Sequence, residues 1–205
     1  PNRWIVEGGQ TSTGSILNWL SRIKGSPLDF DDLNSRATEL EPGCNGLIIQ
    51  DHFQGNRTPY TDPLSRGAIT GLTLAHETHH LFRAIIEGIG FGTRVILDSF
   101  ETAGYQSSEI TIGGGAAASQ LWLQIHADTS GLPVRVPESR DAPSTGCAVL
   151  GACGAGYFDD IDMGINAMIR PGISIDPIPQ NVSRYAEIYP RYKALYPALK
   201  QALNI

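Results

Sequence analysis

The stretch at residues 109–131 reads EITIGGGAAASQLWLQIHADTSG and contains three local signals in succession. Ile110 and Ile112 alternate with polar residues, which is the period of a β-strand. Three glycines at 113–115 follow and mark a turn. The next apolar side chains recur at helical spacing: Leu121, Trp122 and Ile125. The stretch therefore predicts a strand, a glycine turn and a helix.

This unit has two interpretations. It suits an anionic or nucleotide ligand, because glycines allow close approach of the backbone and a helix start presents N–H groups and a positive dipole end. Alternatively, the turn only packs the helix onto the strand. The glycine spacing is not the G-x-G-x-x-G fingerprint, and no P-loop Lys-Ser/Thr follows. The stretch by itself leaves both interpretations open.

Composition excludes several classes of protein. The chain has 205 residues, 41% of them hydrophobic and 18% charged, as in an ordinary globular domain. A net charge of −6 argues against a nucleic-acid surface, and no apolar run approaches the roughly 20 residues that span a bilayer. The first ten residues resemble no secretory signal. The three cysteines form no C-x-x-C pair, so we expect reduced thiols and a cytoplasmic protein: Cys44, Cys147 and Cys153.

Strand and helix patterns alternate along the chain. Further strands are predicted at 4–7, 47–49, 67–73 and 134–136, with an ordered loop at 50–65. Helices are predicted from a cap at Thr11 or Ser12 to Gly25, and at 29–40, 78–100, 146–156, 160–169 and 184–203, the last broken by Pro190 and Pro197. The helix at 78–100 is expected to be the longest. This order predicts an α/β domain with one mixed sheet of five strands or fewer, covered by helices on both faces.

One motif points to metal chemistry. His76, Glu77 and His80 form H-E-x-x-H, which on a helix places two imidazoles on one face beside a Glu, as in zinc hydrolases. No metzincin histidine follows. The obvious third ligand, Glu101, falls on the same predicted helix, roughly 30 Å from His80 at 1.5 Å per residue. We therefore expect no metal here, and a polar helix start instead.

A second pattern covers residues 67–87, GAITGLTLAHETHHLFRAIIE. It resembles the second signature of the FGGY carbohydrate kinases, a Gly-x-apolar-x-Gly-apolar segment, a short spacer, and His-apolar-x-x-Ala-apolar-apolar-Glu. The matching residues are Gly67, Ile69, Gly71, Leu72, His80, Leu81, Ala84, Ile85, Ile86 and Glu87. In this alignment H-E-x-x-H is accidental, because only its second histidine belongs to the signature.

The resemblance extends over nearly the whole chain, in order. EGGQTSTGSILNWL at 7–20, FQGNRTPYTDPLSRG at 53–67 and STGCAVLGACGAG at 144–156 are similar to segments of the same family. GGAAASQLWLQIHAD at 114–128 resembles its adenosine-site motif. The GNR tripeptide at 55–57 and the segment LWLQIHAD at 121–128 resemble the ribulokinase-like branch of the family.

The resemblance implies an RNase H-like domain of the actin and hexokinase type. Residues 1–205 would form the C-terminal nucleotide-binding domain of a kinase that uses ATP and Mg²⁺. The sugar or polyol, a pentulose such as ribulose, would bind the absent N-terminal domain, which also carries the catalytic Asp. The chain alone would then be inactive. No nucleic-acid or membrane partner is expected, and the sequence is compatible with a homo-oligomer. The alternative is a non-catalytic actin-like nucleotide-binding module.

The resemblance also implies site residues. Gly14 and Asn18 would line the nucleotide site from the first helix, Gly114 and Gly115 would pass beneath the nucleotide, and Ser119 would face it. Many relatives carry Asn at the Ser119 position, and a charged or polar side chain where this chain has Ala116, Ala117 and Ala118. A glycine at 115 would be required either by a positive φ or by a ligand that leaves no room for a Cβ.

Overall fold

The computed structural model describes residues 5–139, 141–170 and 172–203. Its helices are α1 (Gly14–Lys24), α2 (Phe30–Thr38), α3 (Thr78–Thr102), α4 (Gln120–Ser130), α5 (Ala142–Gly154), α6 (Ile161–Met168) and α7 (Pro179–Leu203). Its strands are β1 (Ile48–Gln50), β2 (Ala68–Thr70), β3 (Ile110–Thr111), β4 (Val134–Val136) and β5 (Ile173–Ile175). No helix in these ranges combines the length and the apolarity needed to cross a membrane.

The described strands form two sheets, so the expectation of one sheet is wrong. β1 and β2 pair antiparallel. β4 lies between β3, to which it is parallel, and β5, to which it is antiparallel, so this second sheet is mixed as predicted. Helices α3 and α7 contact β1, whereas α4 contacts β4 and β5. Of the strand predicted at 4–7, Trp4 lies outside the described residues and the remaining three residues are not in a strand.

Helix α3 runs unbroken for 25 residues past all three of its glycines, as predicted. The glycines are required by close packing. A Cβ on Gly88 would lie 2.3 Å from the backbone oxygen of Ile49 in β1, and one on Gly90 would lie 2.7 Å from the Thr129 hydroxyl of α4. Each glycine lowers helix propensity by roughly 1 kcal/mol relative to Ala, and tertiary packing offsets this cost.

Helix α7 is also 25 residues long and continues through Pro190 and Pro197. The predicted break is therefore wrong, and within the described residues α3 equals α7 in length rather than exceeding it. Three tyrosines on α7 are buried against the rest of the chain: Tyr185, Tyr189 and Tyr192. Their packing around Phe91 of α3 holds the helix in place despite the two interior prolines, each of which removes a helix hydrogen bond.

Candidate functional site

A cleft of about 660 Å³ opens between α1, α2 and the turn that precedes α4. Helix α1 begins there at Gly14, and its N-cap residue, Thr13, makes no side-chain hydrogen bond to the helix amides. Buried aromatic side chains of α3 and α4, Phe82 and Trp122, lie at the base of the cleft. The lining residues are Thr13, Gly14, Leu17, Asn18, Phe30, Asp31, Asn34, Phe82, Gly113, Gly115, Ala116, Ala118, Ser119 and Trp122.

Four of the five residues expected from the sequence line this one cleft: Gly14, Asn18, Gly115 and Ser119. Gly114 is not among the lining residues. It has a φ of +69°, so its glycine is explained by the left-handed backbone of the turn. Gly115 does not share that conformation, and a Cβ on it would meet nothing within 4 Å. A side chain at 115 would therefore project into open space at the cleft.

Helix α2 also borders this cleft, which no sequence motif indicates. Its residues Phe30, Asp31 and Asn34 form one wall. Phe30 is half exposed, and its ring meets that of Phe82 edge to face at 6.2 Å. Asp29 caps α2 by accepting hydrogen bonds from the amides of the first turn, which fixes where Phe30 begins the helix. These residues reach the cleft only through packing between helices.

Ser119 connects the two walls of the cleft. Its hydroxyl donates to Oδ1 of Asn34 at 2.6 Å and accepts from the Trp122 amide at 3.2 Å, so that it caps α4. The amide nitrogen of Asn34 in turn donates to the backbone oxygen of Phe30 at 2.6 Å. The Ser119 side chain is therefore held by both α2 and α4.

The cleft carries little charge. Asp31 is the only ionisable residue among the described residues that line it, and no Lys or Arg does so. The segment Gly114–Ala118 forms a 3-10 turn whose side chains end at a methyl group. Aromatic side chains at the bottom of the cleft, with a few acceptor atoms around them, suit a flat, mostly neutral group. They suit a phosphate chain less well, because phosphates require neutralising charge.

The H-E-x-x-H residues do not share a helix face. His76 precedes α3, and Glu77 is its N-cap. The Nδ1 atoms of His76 and His80 accept backbone N–H groups of Thr73 and Glu77. Burial is the main cause that lowers the pKa of His80. In the described part of the chain no three His, Cys, Asp or Glu residues are placed to hold a metal ion; the expected absence of zinc stays a prediction, to be checked by elemental analysis.

Comparisons with known proteins point to one family. The model of the FGGY family of carbohydrate kinases, C-terminal domain, matches residues 1–155. The chain is 31% identical over 201 residues to a xylulose kinase of Staphylococcus epidermidis, a match that covers 98% of this chain and 40% of the relative. It is 33% identical over 205 residues to a ribulokinase of Mycolicibacterium smegmatis, covering 94% of this chain and 36% of the relative.

A solved structure gives the same result. The xylulose kinase of Rhodospirillum rubrum superposes with a TM-score of 0.82 at 28% identity, over 97% of this chain and 40% of that one. The chain thus spans about 40% of the length of the relatives it matches.

Proposed function

The chain belongs to the FGGY family of carbohydrate kinases, and on this premise we propose that the protein phosphorylates a sugar or polyol with ATP. These 205 residues form the nucleotide-binding part, an RNase H-like domain of the actin and hexokinase type. The observation that carries the proposal is the cleft, where four residues expected at a nucleotide site from separate parts of the sequence lie together: Gly14, Asn18, Gly115 and Ser119.

The cleft fits a nucleoside. Phe30, backed by Phe82, and the part of Trp122 that lines the cleft offer an apolar surface to a base. Gly14 and Gly115 leave the space that a Cβ would take, since at both positions such an atom would meet nothing within 4 Å. Asn18 and Ser119 supply polar atoms beside this surface, in the pattern typical of cofactor sites.

The start of α1 would hold the phosphates, apart from the apolar residues that would hold the base. Thr13 gives that helix end no side-chain cap, so first-turn amides and the helix dipole are available to negative charge. In this proposal Mg²⁺ would be held by the oxygen atoms of the triphosphate. Bound ATP supplies the phosphoryl group; this chain orients the nucleoside and excludes water around it.

We further propose a pentulose as the acceptor, because xylulose kinases and a ribulokinase are among the relatives. Acceptor binding falls to residues outside these 205, consistent with the 40% of a relative's length that the chain spans. A screen of the full-length gene product with ribulose, xylulose, ribitol, erythritol and glycerol identifies the substrate. The cysteines within the described residues are unpaired, which is compatible with the reducing cytoplasm as the site of reaction.

Substituting Gly115→Val in the full-length gene product tests the nucleotide site. The new side chain projects into the cleft, so ATP affinity should fall at least tenfold, roughly 1.4 kcal/mol, while the thermal unfolding temperature changes little. Gly151→Val is the matched control, because a Cβ on Gly151 also meets nothing within 4 Å but the residue lies on α5, away from the cleft.

Isothermal titration with ATP and thermal unfolding are measured on both variants. A lowered melting temperature with unchanged ATP affinity for Gly115→Val would show that the glycine turn is structural and that the nucleotide site is misplaced. Saturable ATP binding without transfer to any of the five acceptors would instead favour a non-catalytic nucleotide-binding module.

A further inference from the structure

The hydrogen bonds around Ser119 fix where its hydroxyl proton points. Asn34 places one amide atom 2.6 Å from the Phe30 carbonyl oxygen and the other 2.6 Å from the Ser119 hydroxyl. The atom facing a carbonyl oxygen at that distance has to be the nitrogen, because the reversed amide would bring two oxygens together without a proton. The oxygen of Asn34 therefore faces Ser119, and the hydroxyl donates its only proton to it.

This arrangement leaves the Ser119 hydroxyl with one unused hydrogen-bonding site. A hydroxyl has one proton and two lone pairs. The proton is bound by Asn34, and one lone pair accepts the Trp122 amide. Ser119 lines the cleft, so what it can offer a ligand there is the remaining lone pair, which is an acceptor.

Asp31 adds a second acceptor to the same wall. Asp31 lies on the exposed side of α2 and lines the cleft, and within the described residues no side chain forms a hydrogen bond or ion pair with its carboxylate. An ionised carboxylate has acceptor atoms alone. The polar groups at this side of the cleft are thus matched to a ligand that brings hydrogen-bond donors.

Resting on the proposed nucleotide function, we propose that Asn34 is a positioning residue that sets the ligand specificity of the cleft. By holding the Ser119 proton, it makes Ser119 select a nucleotide that presents a donor, which is either the exocyclic amino group of adenine or a ribose hydroxyl. A ligand with a carbonyl oxygen, or with no polar atom, at that point displaces water from the serine lone pair without replacing its hydrogen bond, and such unpaired groups are disfavoured.

Four nucleotides distinguish the two donors: ATP, ITP, 2′-deoxy-ATP and 3′-deoxy-ATP. ITP replaces the amino group by a carbonyl, and each deoxy analogue removes one ribose hydroxyl. For the full-length gene product we expect one of the three analogues to bind at least about tenfold more weakly than ATP. Loss with ITP assigns the donor to the base, whereas loss with a deoxy analogue assigns it to the ribose.

Substituting Asn34→Leu tests the positioning role. It removes the acceptor of the Ser119 proton, so the hydroxyl can turn and donate or accept, and the ratio of analogue to ATP affinity should fall to within about threefold. Ser119→Gly is the second variant, and it removes the hydroxyl. Glycine is tolerated at an N-cap at little cost, and the ratio of analogue to ATP affinity should again fall to within about threefold. Ser35→Leu, a neighbouring position of α2 outside the cleft, should keep the wild-type ratio.

A ratio that stays at the wild-type value in Asn34→Leu and Ser119→Gly overturns the inference, as does equal binding of all four nucleotides by the wild type. If the wild type binds all four nucleotides equally and Gly115→Val abolishes this binding, only the specificity role of Asn34 is overturned. Absence of any ATP binding by the wild type overturns the proposed function together with the inference.

Discussion

The hydroxyl of Tyr185 on α7 donates a 2.9 Å hydrogen bond to the carboxylate of Glu87 on α3, 98 residues earlier in the chain. Both side chains are almost fully buried. Arg83 binds the same carboxylate at 2.8 Å, and the backbone amide of Gly43 donates to it as well. The glutamate that ends the family signature therefore has a structural role, since it anchors the C-terminal helix and the loop before β1.

This network predicts a difference between two conservative substitutions. Tyr185→Phe removes both the donor to Glu87 and the acceptor of an Arg83 N–H, and should lower the free energy of unfolding by about 1–3 kcal/mol. Glu87→Gln removes the charge opposite buried Arg83 and should cost more, about 3–5 kcal/mol. Urea denaturation measures both; Tyr105→Phe, at a half-exposed tyrosine, is the control. Equal losses in the two buried variants would argue against a role for the ion pair.

Gly88 should be intolerant of any side chain. In Gly88→Ala the new Cβ would lie 2.3 Å from the backbone oxygen of Ile49, and since this is backbone, α3 and β1 have to move apart. We expect a loss of about 1–3 kcal/mol in the free energy of unfolding. Gly151→Ala meets open space in α5 and should stabilise by up to about 1 kcal/mol through helix propensity. A neutral or stabilising effect at Gly88 would contradict the observed packing of α3 on β1.

The contribution of His126 to stability should fall as the pH is lowered. Burial lowers the pKa of His126 to about 4, so below its ordinary value of about 6.5 the unfolded chain takes up a proton that the folded chain excludes. This histidine should then remove about 1.4 kcal/mol of stability per pH unit between these two values. Its ring stacks on Trp122 and contacts the Trp122 carbonyl oxygen.

The measurement is the free energy of unfolding at pH 7 and pH 5 for the wild type and His126→Gln. The variant should show a smaller loss than the wild type across this range. His52, His79 and His80 also have lowered pKa values and add to the loss in both proteins, so the difference between the two proteins reports on His126. Identical pH slopes would show that His126 does not contribute.

The 205-residue chain by itself should bind adenine nucleotide weakly and transfer no phosphate. Its cleft holds no positively charged side chain among the described lining residues, and phosphoryl transfer depends on positioning and charge neutralisation. A coupled ADP-release assay with ATP and a pentulose tests this, with the full-length gene product as the positive control. Saturable transfer by the chain alone would mean that a complete active site lies within it.

Much of the local structure could be predicted from the sequence. Apolar spacing and turn residues within a few positions of each other predict helix α3, strands β1 and β4, and the glycine turn before α4. The capping serine of α4 and the left-handed Gly25 that ends α1 are local features as well. Family membership could be predicted for the same reason, because its signature at 67–87 is a contiguous pattern.

Tertiary structure alone decided the rest. Helix α7 continues through two prolines because its tyrosines pack on α3 and β1. Local helix propensity does not indicate this tertiary packing. The strands divide into two sheets because pairing joins segments that are distant in sequence. Asn34 reaches Ser119 across 85 residues, and no periodicity within α2 indicates that partner. Local patterns determine which segments become helices and strands, whereas the composition of the cleft depends on which faces pack together.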